Sequence, residues 1–186
     1  KDDFNEVIKR SLENNVWVLN VGSQYSTSKR AVEIAEKYPE GVYAAIGLHP
    51  IHLSDGIFKT KIDKEEIEFK TTEEYFNYQK YKELAQSKKV VAVGEIGLDY
   101  WYRPKTKTKL EQFKNLQKEV FLKQLELAKE LNLPVIFHCR IAHNNLIEIL
   151  NQQSTINNQR LTGVIHCFTG TWEEAEKYIE MGFFLG

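Results

Sequence analysis

Residues 90–103 read VVAVGEIGLDYWYR. The first five, Val90 to Gly94, have the apolar and largely β-branched make-up of a buried strand. Glu95 follows directly, and Asp99 stands four positions further on. An ionised carboxylate at the end of a dry strand is costly unless a cation or strong donors hold it. Either Glu95 turns outward to water, or a positive group waits for it.

The segments around this strand decide the fold class. Residues 3–14 place Phe4, Val7, Ile8 and Leu12 on one helical face. Residues 16–21 (VWVLNV) read as a strand closed by Gly22 and Ser23. Ser26 or Ser28 is placed to cap a helix running to Tyr38, with Ala31, Ile34 and Ala35 inward and Pro39 as its stop. Residues 42–48 form a strand leading into His49-Pro50. The stretch 55–72 mixes lysines and glutamates without periodicity. It reads as a charged, irregular surface insertion that leads into a helix at about 73–87. After strand 90–96, a basic loop at 101–110 precedes a long helix at about 111–132, with Phe113, Leu116, Val120, Leu125 and Ala128 at helical spacing. LPVIF (133–137) is a short buried strand, 143–151 a helix, TGVIHCF (162–168) a strand, and 171–181 a helix capped by Thr171 with Glu174 three residues on. FFLG at 183–186 begins a further strand.

Five strands separated mostly by helices, with a sixth beginning, predict an α/β protein with a parallel sheet and right-handed crossovers. In such folds ligands bind at the carboxyl ends of the strands.

Composition bounds the rest. With 186 residues, 42% of them hydrophobic and 27% charged, the chain can bury the core of one domain. A net charge of −1 excludes a uniformly basic nucleic-acid surface but permits a local basic patch. Cys139 and Cys167 make no disulfide framework, which favours a reducing, intracellular setting. No run of 18 apolar residues and no signal-peptide pattern occur, so the expectation is a soluble cytoplasmic protein with no membrane partner.

The residues closing the strands form a set: His49, Glu95, His138 and His166 end four of them. Neighbouring parallel strands lie about 4.8 Å apart, so these groups meet along one rim if the strands are sequential neighbours. A lone histidine at a strand end is ordinarily a hydrogen-bonded rim residue. Four polar groups closing successive apolar strands point instead to a metal, and imidazole with carboxylate suits Zn, Mn, Fe or Mg. His52 and His143 read as surface or capping residues, and strand alternation turns Cys139 and Cys167 toward the helices as buried thiols. Asp99 is placed equally well to orient a ligand or to cap its loop. The loop 100–114 sets Arg103, Lys105, Lys107, Lys109 and Lys114 among aromatics. It reads equally as a solvated loop or as a rim for phosphates, with Trp101 or Tyr102 open to base stacking.

Five motifs in register carry a resemblance: LNVGS (19–23), AAIGLHP (44–50), GEIGLDY (94–100), PVIFHCR (134–140) and GVIHCFTG (163–170). Together they resemble the TatD family of metal-dependent deoxyribonucleases over nearly the whole chain. The resemblance implies a (β/α)₈ barrel of the amidohydrolase type, incomplete in this chain, with two divalent ions (Mg, Mn or Zn) hydrolysing phosphodiesters of DNA single strands or 3′ ends. It implies that Glu95 bridges the metals as a catalytic carboxylate and that His138 and His166 are ligands. It also implies a catalytic His49 pointing at the substrate phosphate, with Arg140 as a substrate-binding group, and the basic loop itself offers Arg103 as another. Two family parts are absent, an initial HxH strand and a later aspartate motif, so the expectation is a fragment carrying part of the ligand set. Ile141 stands where related sequences often carry a polar residue. Two other readings stay open: an amidohydrolase-type enzyme acting on a small ester or amide, because a fold does not determine a function, and an inactive, metal-free remnant.

Overall fold

The structure is a computed structural model that describes residues 3–62, 65–154 and 161–186; over 57–69 and at 154 the description is of backbone only. The chain runs α1 (Phe4–Glu13), β1 (Val18–Val21), α2 (Tyr25–Ala35), β2 (Val42–Ile46), a 3₁₀ turn (Pro50–Leu53), β3 (Gly56–Ile62), β4 (Glu65–Thr71), α3 (Tyr78–Leu84) and β5 (Val90–Asp99). It continues through α4 (Lys107–Leu131), β6 (Val135–Arg140), α5 (His143–Ser154), β7 (Gly163–Ile165), α6 (Trp172–Glu180) and β8 (Phe184–Leu185).

Six strands form one parallel sheet in the order β1-β2-β5-β6-β7-β8, which is chain order once the β3–β4 hairpin is set aside. Sequential parallel strands joined by helices are the wall of a (β/α) barrel. Alternation sorts the side chains of each strand. Val135, Phe137 and Cys139 of β6 enter the core beneath α4, α5 and α6, while Ile136 joins Ala45 and Ala92 on the opposite face. His138 and Arg140 follow Ile136 at the same two-residue period, so they emerge on that opposite face at the carboxyl end. Val42, Ala44 and Ile46 of β2 pack against α1, α2 and α3 in a second cluster. No helix among the described residues is long and apolar enough to cross a membrane.

Several local expectations need correction, the first at α2, which starts at Tyr25 with Gln24 as its cap and so has Ser26 and Ser28 inside it. The segment 55–72 is not irregular. Gly56 pairs with Thr71 and Ile62 with Glu65 in an antiparallel hairpin that forms a two-stranded sheet of its own. Period-two alternation is present in Phe58-Lys59-Thr60-Lys61-Ile62 and in Glu66-Ile67-Glu68-Phe69-Lys70-Thr71, but the abundance of lysine and glutamate masks it. The helix expected at 73–87 is only Tyr78–Leu84, started by Asn77, whose side chain accepts the Lys80 N–H. Strand β7 stops at Ile165, short of the expected Phe168. The cap on α6 is as expected: Thr171 and Glu174 satisfy each other's backbone N–H groups.

Helix α4 does more than cover the sheet. Gln117 and Gln124, two turns apart on one face, are each 1% exposed. The Gln124 side chain accepts from the Leu48 N–H at 2.7 Å and donates to the Leu48 carbonyl at 3.0 Å. Gln117 does the same for Asp99, both bonds at 2.9 Å. Ser28, also buried, exchanges bonds with the Gly47 N–H and C=O. The backbone just beyond β2 and at the last residue of β5 is thus clamped where ladder partners run out. Gln124→Leu would strand a buried N–H and C=O at Leu48. The expected loss is roughly 2–4 kcal/mol of stability from urea midpoints, and an unchanged midpoint would overturn the clamp.

Candidate metal centre

The site grows from an irregularity in β5. Val93 pairs with Val135 and Ile96 with Phe137, so β5 takes three steps where β6 takes two. The extra residue makes a bulge at Gly94–Glu95, and bulges re-aim side chains. Two glycines allow the close approach. A Cβ on Gly94 would stand 2.6 Å from the Ile136 Cβ, and one on Gly97, at φ +151°, would stand 2.0 Å from the His138 carbonyl oxygen. Beyond the bulge the register places Gly97 beside His138 and Asp99 beside Arg140.

His138 lies between two carboxylates. Its Nδ1 is 2.8 Å from Glu95 Oε1, and its Nε2 is 3.0 Å from Asp99 Oδ2. Asp99 is 5% exposed, and the side chains of Glu95 and His138 are each 19% exposed. Burial by itself lowers the His138 pKa. The hydrogen bonds to Asp99 and Glu95 and the charges of both carboxylates outweigh it, raising the pKa to about 9. Without metal, the positive group that meets Glu95 is the imidazolium of His138.

His49, the residue after β2's clamped end, completes the cluster. Its Nε2 is 4.0 Å from Glu95 Oε1, and its ring meets the His138 ring edge-on at 4.1 Å. His49, Glu95 and His138 each offer a ligand atom, all within 4.8 Å of one another. Imidazole and carboxylate donors at this spacing fit a divalent transition metal or, on the carboxylate side, Mg. His49 Nδ1, however, accepts the Ile51 N–H at 3.1 Å, which leaves the proton of the neutral ring on Nε2. Burial, then the charges of His138 and His52, hold the His49 pKa well below 6.5. A neutral ring with Nε2–H turned toward Glu95 suits a hydrogen-bond donor to substrate better than a ligand.

The remaining candidates are placed as follows. His166 lies one residue past β7, exposed, with Nε2 3.4 Å from Cys167 Sγ, and it stands outside the three-residue group. Cys139 is buried as expected, but Cys167 is exposed, at φ +46°. Strand alternation does not reach Cys167, because β7 has already ended. Arg103 is exposed on its loop. Arg140 lies over Trp101, its guanidinium carbon 4.3 Å from the ring centroid. His143 is not on the surface: it opens α5 at 7% exposure, with Nδ1 3.1 Å from the Tyr178 hydroxyl. His52 is half-buried, and burial lowers its pKa. Asp99 touches both groups it is placed to reach: Oδ2 stands against His138 Nε2 and Oδ1 accepts the Trp101 N–H at 2.9 Å. Gln117 and Gln124, which position Asp99 and Leu48, escaped the sequence reading. Their two-turn spacing on α4's inner face was the available signal.

Comparison with known proteins follows the same lines. The family model described as "TatD related DNase" matches residues 1–186. An uncharacterized metal-dependent hydrolase, YabD, from Bacillus subtilis is 38% identical over 184 residues, covering 98% of this chain and 61% of the relative. The 3′-5′ ssDNA/RNA exonuclease TatD of Erwinia tasmaniensis is 34% identical over 185 residues, covering 99% of this chain and 61% of the relative. The crystal structure of YJJV, a TatD homolog from Escherichia coli K12, superposes with a TM-score of 0.72 at 28% identity, covering 99% of this chain and 61% of that one. This chain therefore spans about three fifths of the length of the relatives it matches.

The raised pKa of His138 has a testable consequence for the metal-free protein. A group whose folded pKa lies above its unfolded value of 6.5 stabilises fully below that value and loses the contribution as pH rises through about 9. In chelator-treated protein the unfolding free energy should fall by on the order of 2 kcal/mol between pH 6.5 and 9.5. His138→Gln should flatten most of that fall, and equal slopes for the two proteins would refute the ion-pair account.

Proposed function

The chain belongs to the family of TatD-related DNases, and from that premise we propose that the whole protein is a divalent-metal-dependent phosphodiesterase that shortens single-stranded DNA from an end. The observation that carries this reading is the convergence of Glu95, His138 and His49 within 4.8 Å at the carboxyl end of a parallel sheet. Glu95 and His138 are the proposed ligands nearest each other, Glu95 as the bridge, with His166 as the further imidazole from the adjoining strand end. When bound, divalent cations there would supply Lewis acidity, neutralising phosphate charge and making water more acidic.

The chain's own groups have distinct tasks. Asp99 accepts the Nε2–H of His138, which fixes the tautomer and leaves Nδ1 facing Glu95 as the ligating nitrogen. His138 must shed its second proton to ligate, so protons and metal compete for one nitrogen. His49, neutral at pH 7, directs Nε2–H into the same space and can donate to a phosphate oxygen. Arg140 and Arg103 are the proposed phosphate contacts on the rim. The two cysteines are both free, which suits a reducing cytoplasm.

The test uses the full-length protein, a labelled single-stranded oligonucleotide, and removal then readdition of Mg²⁺ or Mn²⁺. Chelation should abolish cleavage and readdition restore it. Glu95→Gln, which removes the bridging charge and keeps the shape, should lose more than about a hundredfold in kcat/KM. Lys107→Ala, a rim charge, should raise KM only about two- to threefold, and less at higher salt. Undiminished cleavage by Glu95→Gln, or cleavage that survives chelation, would defeat the reading. Metal-dependent hydrolysis of a small ester with no action on DNA would instead favour the amidohydrolase alternative.

A further inference from the structure

Beside the centre, the end of β5 presents an indole. Trp101 is 52% exposed, although the Arg140 guanidinium lies over one of its faces at 4.3 Å. The same guanidinium sits 5.7 Å from the Tyr102 ring. Among the described residues no carboxylate pairs with Arg140, and no carbonyl accepts from its side chain. A half-buried guanidinium held only by aromatic rings keeps its N–H donors for something else, and its planar fork suits phosphate.

The indole is also tied to the centre. Asp99 holds His138 through Oδ2 at 3.0 Å and the Trp101 N–H through Oδ1 at 2.9 Å. One carboxylate, on a residue whose backbone Gln117 clamps, therefore sets both the imidazole and the backbone that carries the ring. We infer that Trp101, backed by Arg140, is the platform on which an unpaired base stacks beside the phosphate to be cut, with the guanidinium offered to a phosphate of the same strand. This rests on the nuclease reading above and assigns the residue that would select an unpaired end. A base inside a duplex is already stacked and paired, so its face is closed to the indole, whereas every unpaired base offers one. A small ester would leave the platform unused. Trp101 is thus a positioning residue for substrate and takes no part in bond breaking.

The test again uses the full-length protein with Mn²⁺. Two single-stranded oligonucleotides are compared, identical except that the terminal two nucleotides of one lack their bases. The wild type should prefer the base-bearing end by about ten- to a hundredfold in kcat/KM, the range that loss of one stacked base implies. Trp101→Ala should bring that preference within about threefold, through a raised KM on the base-bearing strand, and Trp101→Phe should restore most of it. A residue that merely braced the loop would slow both substrates alike. Equal treatment of the two ends by the wild type, or a preference that survives in Trp101→Ala, would overturn the platform. If the wild type cleaves neither strand, the nuclease reading fails separately, and the platform is judged by fluorescence anisotropy of a labelled single strand without metal. Binding weakened at least tenfold by Trp101→Ala supports it. Absence of wild-type binding, or equal binding by both proteins, overturns it.

Discussion

The grip of two carboxylates on His138 is the constraint around which the other parts of the rim are arranged. Glu95 and Asp99 are both largely withdrawn from water, and neither charge is tolerable there without a partner. One imidazole serves both, and it can do so only if β5 carries one carboxylate to each of its nitrogens. An unbroken strand alternates sides at every residue, so residues 95 and 99 share a face, four residues apart along it. The bulge at Gly94–Glu95 breaks the regular step, and Gly97 lets the β5 backbone close on the His138 carbonyl. The bare Cα atoms of these glycines are therefore part of the electrostatics of the site.

Helix α4 fixes the geometry from behind. A parallel sheet loses its ladder hydrogen bonds at the carboxyl rim, where ligands bind and backbone groups would otherwise need water. Two buried glutamines replace that water at Leu48 and Asp99, the residues that precede His49 and hold His138. An amide is suited to this because it donates and accepts at once, matching both polar groups of a single residue. The clamps cost little where both partners are satisfied, and they hold the rim rigid in a dry setting where each bond is strong.

The rim is also graded in charge. At its centre, two carboxylates hold the His138 imidazolium beside the neutral ring of His49. On its flank, Arg140 and the lysines of the 101–114 segment present positive charge next to exposed aromatic surface. The proposed single-stranded substrate, a polyanion carrying flat bases, would meet complementary groups in that order. The near-zero net charge of the chain hides this grading, because a sum over residues carries no information about where they stand.

The sequence by itself determined the parallel α/β plan, the places of the six strands of the main sheet and the capping of α6; of the four groups it set at strand ends, His49, Glu95 and His138 gather while His166 stands outside their group. These follow from apolar periodicity and from chain order, which are local, and from the rule that helical crossovers keep neighbouring strands parallel. Only the tertiary structure decided that Asp99 shares His138 with Glu95, that Gln117 and Gln124 face inward, and that Arg140 lies over Trp101. It alone ended β7 before His166 and so left Cys167 exposed, and it alone folded 55–72 into a hairpin. Except for the hairpin, whose two strands are neighbours in sequence, each of these depends on a partner brought from far along the chain. A polar residue reads as solvent-facing until the backbone group that it satisfies is in view, and a strand's last residue is set by its neighbour's register rather than by its own composition.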